Sequence, residues 1–330
     1  MRNFFRKILG GNILKFRIMV LNFFKDFQLY YRHSNVFKVN NLNKVEAKLI
    51  LDYHSLEKGM LFKEMKLGFG RDRVERIHTY LKDPHVINSL DRSQIIVAFQ
   101  VMCKYYELHK NEEFDIEHFF SKNQYLSYKE IIKDYYSIGF NGAIDCARED
   151  FYKDNNEKFE VFAHSRKSVR NFTGEIIDDS IIKKAVKLAL TSPSVCNRQA
   201  SKVYLLQDKN KIDKTLSIQG GFSGFSENVN QLLILTNDRN YYYTVGERNQ
   251  FYIDGGIFLM NLLYSLHYYK IANCPANWGR TVAYEKKLSS IIDIPESEKI
   301  ICMIPIGKAE SEFRITLSKR KNLEEVLKYI

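Results

Sequence analysis

Arg166-Lys167-Ser168-Val169-Arg170 lies near the middle of this 330-residue chain and carries a pattern that suggests a ligand. In an extended segment successive side chains point to opposite sides, so Arg166, Ser168 and Arg170 would share one side. Two guanidinium groups with a hydroxyl between them suit a phosphate or a polyhydroxyl chain, because arginine donates hydrogen bonds in bidentate geometry. Three such residues are also typical of a solvated surface, so the interpretation depends on the segments around this arginine pentapeptide.

Helix and strand signals alternate on the carboxyl-terminal side of the pentapeptide. Short apolar runs predict buried strands, and longer periodic runs predict helices. They follow one another without strict βαβ spacing, which predicts an α+β fold. The predicted helices cover residues 180–192 and 251–269, and the predicted strands cover residues 203–206, 232–235 and 300–306.

Two adjacent glycines, Gly255 and Gly256, lie inside the longer predicted helix. Each costs about 1 kcal/mol relative to alanine in a helix interior. We expect close packing against another helix to compensate for this cost.

Patterns of hydrolytic enzymes and metalloenzymes are missing from the sequence. Residues 221–225 do not supply G-x-S-x-G, there is no Walker loop or HExxH, and the eight histidines are scattered, so no metal is expected. Cys196 and Cys274 could be nucleophiles, but free cysteine is more often a small buried hydrophobe. Five cysteines without framework spacing favour a reduced, cytoplasmic protein.

Four further segments follow the arginine pentapeptide, and their order and spacing resemble the nitroreductase family of FMN-dependent oxidoreductases. The resemblance covers residues 162–330. It implies a nitroreductase-like fold with a central mixed, mainly antiparallel sheet flanked by helices. The four segments are Ser192-Pro193-Ser194-Val195-Cys196-Asn197-Arg198-Gln199, Cys274-Pro275-Ala276-Asn277-Trp278-Gly279, Pro305-Ile306-Gly307 and Ser318-Lys319-Arg320-Lys321.

The resemblance implies two groups of cofactor-binding residues near the FMN phosphate. The two arginines and the serine of the pentapeptide would hold the phosphate and the ribityl chain. Lys319 and Arg320 fall where the family has its carboxyl-terminal phosphate-binding cation, and a one-residue shift would put Lys321 there instead. Clustered cations would offset the desolvation of a phosphate dianion.

The resemblance also implies residues around the flavin ring. Pro193, Ser194 and Asn197 match a segment that reaches the flavin from the second subunit of a homodimer. A second loop has backbone amides that would face the isoalloxazine ring and its reactive N5 atom. This loop consists of Pro275, Ala276, Asn277 and Trp278. No catalytic side chain is required, because the flavin carries the chemistry.

Residues 1–155 have no counterpart in compact members of the family and predict a mainly helical extension, followed by the FMN-binding domain at 156–330. Residues 93–110 and 125–136 have the helical period. Residues 54–59 and 67–70 break this texture and predict an ordered loop. The segment is similar to extensions of nitroreductase-like proteins from bacterial surface-polysaccharide gene clusters.

A basic leader opens the chain. Of the formal net charge of +11, residues 1–50 contribute +8, and basic and apolar residues are interleaved there. The pattern favours a helix that packs on the body with a solvated basic face. Two alternatives are peripheral contact with an anionic membrane at its inner face and contact with nucleic acid, of which the last is not expected. No apolar run is long enough to span a membrane.

The combined expectation is an FMN-dependent oxidoreductase. Hydride would pass from NAD(P)H, either NADH or NADPH, through flavin N5 to a small organic acceptor, with a sugar-linked or other small metabolite as substrate. The alternative is a catalytically inactive nitroreductase-fold protein that acts in binding or assembly at the membrane surface.

Overall fold

The computed structural model describes residues 2–33, 38–242 and 244–330, and the chain divides into two compact units. The α+β unit contains residues up to 22 and residues 145–313, and the helical unit contains residues 23–144 and 314–330. The sequence placed the boundary at residues 155 and 156 and kept the carboxyl terminus with the FMN-binding domain.

The carboxyl-terminal segment belongs to the helical unit because its partners lie there. Lys321 Nζ lies 3.0 Å from Oε2 of the buried Glu46, and the Glu325 carboxylate accepts a hydrogen bond from the backbone N–H of Ser93. These partners are more than 230 positions away in the chain. Proximity in sequence therefore does not decide which unit holds this segment.

The helical unit packs amphipathic helices around one apolar core. Tyr105 and Phe99 are among its largest fully buried side chains. Helix α1 crosses from the range of one unit into that of the other. The helices in chain order are α1 (Arg2–His33), α2 (Leu42–Gly59), α3 (Arg71–Leu81), α4 (Pro84–Ile87), α5 (Ser93–Asn111) and α6 (Lys122–Ile131), and the carboxyl-terminal segment adds α13 (Leu323–Val326).

The predicted helices of this region are confirmed as α5 and α6, but the loop predicted at 54–59 is wrong. These residues form the last turns of α2. Glu57 is fully buried and accepts a hydrogen bond from Nδ1 of His54 at 2.9 Å, so the helix continues to its terminal glycine. The neighbouring residues 67–70 form the predicted loop, with Gly68 and Gly70 in the left-handed region.

The α+β unit contains an antiparallel sheet and its flanking helices. The strands are β2 (Ser201–Leu206), β3 (Gln231–Asp238), β4 (Ala272–Asn273), β5 (Ala276–Asn277) and β6 (Glu298–Gly307), while β1 (Ala143–Ala147) and β7 (Glu312–Thr316) lie across the unit boundaries. In the sheet the strands run in the order β2-β3-β6-β4, and β5 also pairs with β6. The helices are α7 (Arg148–Phe151), α8 (Phe159–Ser165), α9 (Asp179–Ala189), α10 (Lys209–Gln219), α11 (Gln250–Tyr268) and α12 (Val282–Ser289).

The predicted α+β class is confirmed, with a mainly helical region before the sheet. The predicted helices correspond to α9 and α11, and the predicted strands to β2, β3 and β6. All eight residues of β3 are buried, which explains why a continuous apolar run identifies it.

Gly255 has a different packing partner from the one expected. It lies against Ile301 of strand β6, so the close approach is between a helix and the sheet rather than between two helices. Gly256, one position further, is exposed and has open space around it. Only the first glycine is therefore required by packing.

We predict opposite effects of alanine at the two glycines. A Cβ atom at Gly255 would lie 2.7 Å from Cγ1 of Ile301, whereas one at Gly256 would meet nothing within 4 Å. Overpacking costs about 1–3 kcal/mol, and alanine returns about 1 kcal/mol of helix propensity. Urea unfolding should show Gly255→Ala less stable than wild type and Gly256→Ala equally or more stable. Equal midpoints for the two variants would contradict this packing.

Candidate cofactor site

The arginine pentapeptide directly follows α8 and is anchored to the sheet. The backbone N–H of Val169 donates to the carbonyl of Asn273 in β4 at 2.9 Å, and the Val169 side chain is buried. Its neighbours Ser168 and Arg170 are half-buried. The segment therefore has an inward side, which holds the valine, and another side on which the predicted phosphate-binding side chains can lie.

Arg170 carries an unsatisfied buried group. Its Nη1 atom is buried and has no hydrogen-bond partner within the part of the chain that the structure describes. A buried donor without a partner costs about 1–3 kcal/mol, and more when it is charged. An anion such as a phosphate would satisfy this donor and offset the charge. The pentapeptide therefore fits the phosphate of FMN.

The structure brings the pentapeptide close to the predicted ring-facing loop. Asn273, which accepts from Val169, lies two residues before Pro275. Within the loop, Trp278 is buried, and its Nε1 also has no hydrogen-bond partner among the described residues. The carbonyl of Asn277 accepts from Nε2 of Gln219 at 2.9 Å, which holds the loop to the end of α10.

The predicted subunit-contact segment is a strained loop. Cys196, Asn197 and Gln199 have φ angles of 48°, 56° and 53°, in the left-handed region that non-glycine residues rarely adopt. Each such residue costs about 1–3 kcal/mol and persists only where its surroundings hold it. Pro193 and Asn197 are exposed, so this loop can meet another molecule.

Asp254 of α11 holds this loop from below. It is buried and accepts hydrogen bonds from the backbone N–H of Val195 at 3.3 Å, from the hydroxyl of Tyr242 at 3.1 Å and from Nε2 of Gln250 at 2.8 Å. Burial and this carboxylate raise the pKa of Tyr242, which stays a donor at neutral pH. The acid therefore fixes the loop at Val195 and is itself held in place by Tyr242 and Gln250.

Two further interactions complete the support of the loop. Arg198 pairs with Glu247 through two hydrogen bonds of 3.0 and 2.8 Å, so this arginine is a structural residue. The hydroxyl oxygen of Ser194 accepts from the backbone N–H of Gln199 at 3.0 Å, and the Gln199 amide donates to Oδ1 of Asn197 at 3.1 Å. Two of the predicted site residues thus also stabilise the loop itself.

The predicted carboxyl-terminal cations lie in the helical unit. Lys319 and Arg320 are exposed there, directly after Ser318, whose φ of 43° is again left-handed. The alternative Lys321 is engaged in its ion pair with the buried Glu46. Engagement of that ammonium group makes Lys319 and Arg320 the more available cations.

The sequence analysis missed a buried histidine that supports the pentapeptide. Nε2 of His267 in α11 lies 2.8 Å from the hydroxyl of Ser165, the residue before Arg166. Burial, together with the charges of Arg166 and Lys167, lowers the pKa of His267 to about 4. The imidazole is therefore neutral at physiological pH. Polar residues within an apolar helix, as at Asp254 and His267, are the signal that could have identified both.

We predict that His267 makes the protein less stable in mild acid. Its folded pKa lies below the unfolded value of about 6.5, so its contribution is complete above that pH and is lost as the pH falls towards 4. The difference corresponds to up to about 3 kcal/mol. In urea unfolding between pH 7 and 4, His267→Gln should flatten the decline, and His118→Gln at an exposed position should not. Parallel pH profiles for wild type and His267→Gln would contradict this role.

Solved structures with similar folds cover about half of this chain. A nitroreductase-like protein from Streptococcus mutans is 21% identical, with 52% of this chain and 97% of that chain covered and a TM-score of 0.45. An FMN-dependent nitroreductase from Clostridium difficile is 17% identical, with coverages of 50% and 92% and a TM-score of 0.41. A nitroreductase family protein from Clostridium novyi is 19% identical, with coverages of 46% and 86% and a TM-score of 0.41.

The match to a protein family is narrower than these structural alignments. No curated protein matches the chain. Residues 163–221 match the model of the Nitroreductase family, and this match supports a general oxidoreductase role. The matched segment contains the arginine pentapeptide, α9 and the strained loop. The resemblance to the nitroreductase family that the motifs predicted is therefore confirmed for residues 163–221.

Proposed function

We propose that this protein is an FMN-dependent oxidoreductase acting on a small organic acceptor. When bound, FMN supplies hydride transfer from NAD(P)H to the acceptor through its N5 atom. The observation that carries the proposal is the buried Nη1 of Arg170, which has no hydrogen-bond partner among the described residues and lies in a segment that matches the Nitroreductase family model. A cation held in this way needs an anionic partner, and the FMN phosphate is one.

The pentapeptide would bind the phosphate and the ribityl chain. Arg166 and Arg170 would neutralise the dianion, and the hydroxyl of Ser168 would donate or accept a hydrogen bond with the chain of hydroxyls. His267 and Ser165 hold the start of the segment, and the bond from Val169 to Asn273 holds its middle. The protein would thus bind the phosphate with a segment positioned before the ligand arrives.

The strained loop would complete a second subunit's site. Pro193, Ser194 and Asn197 would contact the flavin of the partner in a homodimer, and the exposure of Pro193 and Asn197 supports this. Rigid support by Asp254 means that little further ordering would be needed on association. Backbone amides of the loop 275–278 would face the flavin ring and stabilise negative charge on it.

Two other parts of the proposal follow the family resemblance. Lys319 and Arg320 remain the predicted carboxyl-terminal cations, because Lys321 is engaged in its ion pair with Glu46. We also propose a cytoplasmic location. The reductant would be either NADH or NADPH, and the acceptor would be a sugar-linked metabolite from surface-polysaccharide metabolism. An inactive binding or assembly protein is disfavoured, because a scaffold has no need for a buried arginine Nη1 atom without a partner among the described residues.

The first test is the visible absorption spectrum of the purified protein, with identification of any cofactor released on denaturation. We expect a flavin spectrum and an equimolar amount of FMN.

The change Arg166→Ala with Arg170→Ala should weaken FMN binding about a hundredfold or more, because each charged hydrogen bond contributes about 1.5–3 kcal/mol. Flavin fluorescence titration measures this loss.

Lys167→Ala is the matched control. It removes a cation from the same segment, at a position whose side chain points away from those of Arg166 and Arg170 if the segment is extended. It should change FMN affinity much less than the double variant does. Riboflavin, which lacks the phosphate, should bind wild type and the double variant with similar affinity. A colourless protein that does not take up added FMN would overturn the proposed function, and unchanged FMN affinity in the double variant would overturn the phosphate assignment.

A further inference from the structure

Helix α1 exposes an apolar stripe to solvent. Phe16, Val20, Phe23, Phe24 and Phe27 follow one another at helical spacing and form this aromatic stripe. Each is at least 47% exposed, and the rings of Phe24 and Phe27 stack with centroids 6.3 Å apart. Contiguous exposed apolar surface of this kind marks an interaction site in soluble proteins.

The structure corrects the expectation that the leader packs on the body by its apolar side. Among the described side chains from residue 12 to residue 28, the least exposed are polar: Asn22, Asp26 and Gln28. The phenylalanines of the stripe are exposed, as are Leu14 and Leu21 on another side of the helix. Any prediction for the side chains of residues 2–11 concerns side chains that the structure does not describe.

The charge of the helix is complementary to an anionic surface. Residues 1–25 contain six lysines and arginines and no acidic residue, and Asp26 is the first acid of the chain. By helical period, Lys15 and Lys25 lie off the aromatic stripe, and Arg17 lies at its edge beside Phe24. Apolar aromatic residues on one side with cations on the other are the pattern of a helix that lies in the interface of a membrane.

The same charge argues against the other occupants of the stripe. Two copies of α1 packed stripe to stripe would bring together helices that each carry only positive charge up to Asp26, which is unfavourable. Nucleic acid would use the cations but would leave the phenylalanines in water. An anionic bilayer would use both, since its acyl region takes the rings and its headgroups take the cations.

Among the described residues, no helix is both long and apolar enough to cross a membrane. We propose that α1 binds to the surface of an anionic lipid bilayer, with the aromatic stripe at the acyl-chain boundary and its lysines and arginines at the headgroups. This inference does not depend on the proposed function, because it uses no residue of the candidate cofactor site.

The test is co-sedimentation of the full-length protein with vesicles. We expect binding to vesicles of phosphatidylcholine with phosphatidylglycerol, weaker binding to phosphatidylcholine alone, and a decrease as salt is added. Phe23→Ser with Phe27→Ser should lower binding at least about tenfold, since two buried rings are lost from the interface. The matched control, Leu14→Ser with Ile18→Ser, has the same spacing on another side of the helix and should keep binding within about twofold.

A charge-reversal variant provides an independent test of the lipid preference. Lys15→Glu with Arg17→Glu should abolish the preference for anionic vesicles, while the circular dichroism of the protein stays unchanged. Failure of wild type to bind anionic vesicles would overturn the proposal, as would equal losses in the stripe variant and its control. Self-association or nucleic-acid binding that needs the stripe, without vesicle binding, would identify the other occupants and overturn it as well.

Discussion

Strand β6 is hydrogen-bonded along both edges, and this double pairing positions the segments of the candidate site. One edge pairs with β3 and the other with β4 and β5. Pairing of β4 positions the carbonyl of Asn273, which takes the N–H of Val169 and so places the arginine pentapeptide beside the loop 275–278. Close packing of Gly255 on Ile301 sets α11 against the same strand, and Asp254, one residue earlier, holds the strained loop.

Two features of the α+β unit are each energetically unfavourable, and together they indicate a binding site. The buried Nη1 of Arg170 lacks a partner among the described residues, and three left-handed residues cluster within 196–199. An unsatisfied buried donor and left-handed non-glycine residues each cost free energy, so folding alone favours neither. Both lie in the segment that matches the Nitroreductase family model. Their coincidence is what a site built for an anionic cofactor at a subunit interface would show.

The sequence predicted those elements whose signal is local. Strand β3 contains the continuous apolar run 232–235, and Asp178 caps α9 as its position before that helix indicates. The pentapeptide could be identified for the same reason, because its charges are adjacent in the chain. The bonds of Asp254 to Val195, of His267 to Ser165 and of Lys321 to Glu46 join residues far apart in sequence, so no local pattern reveals these partners. The helix at 54–59 was missed because Gly59 is the last residue of α2, where a glycine ends a helix without interrupting it.

The two proposed binding surfaces use positive charge in physically different ways. Residues 1–50 carry +8 of the net charge of +11, whereas the remainder, with 40 basic and 37 acidic residues, is almost neutral. Phosphate binding at the pentapeptide therefore cannot rely on a general positive field and needs a buried, positioned guanidinium group, which salt screens little. Helix α1 has the opposite character, because Lys15, Arg17 and Lys25, its cations among the described side chains, are exposed and act collectively over a range of about 8 Å at physiological ionic strength. Salt should thus separate the two activities: membrane association would weaken under conditions in which the cofactor stays bound.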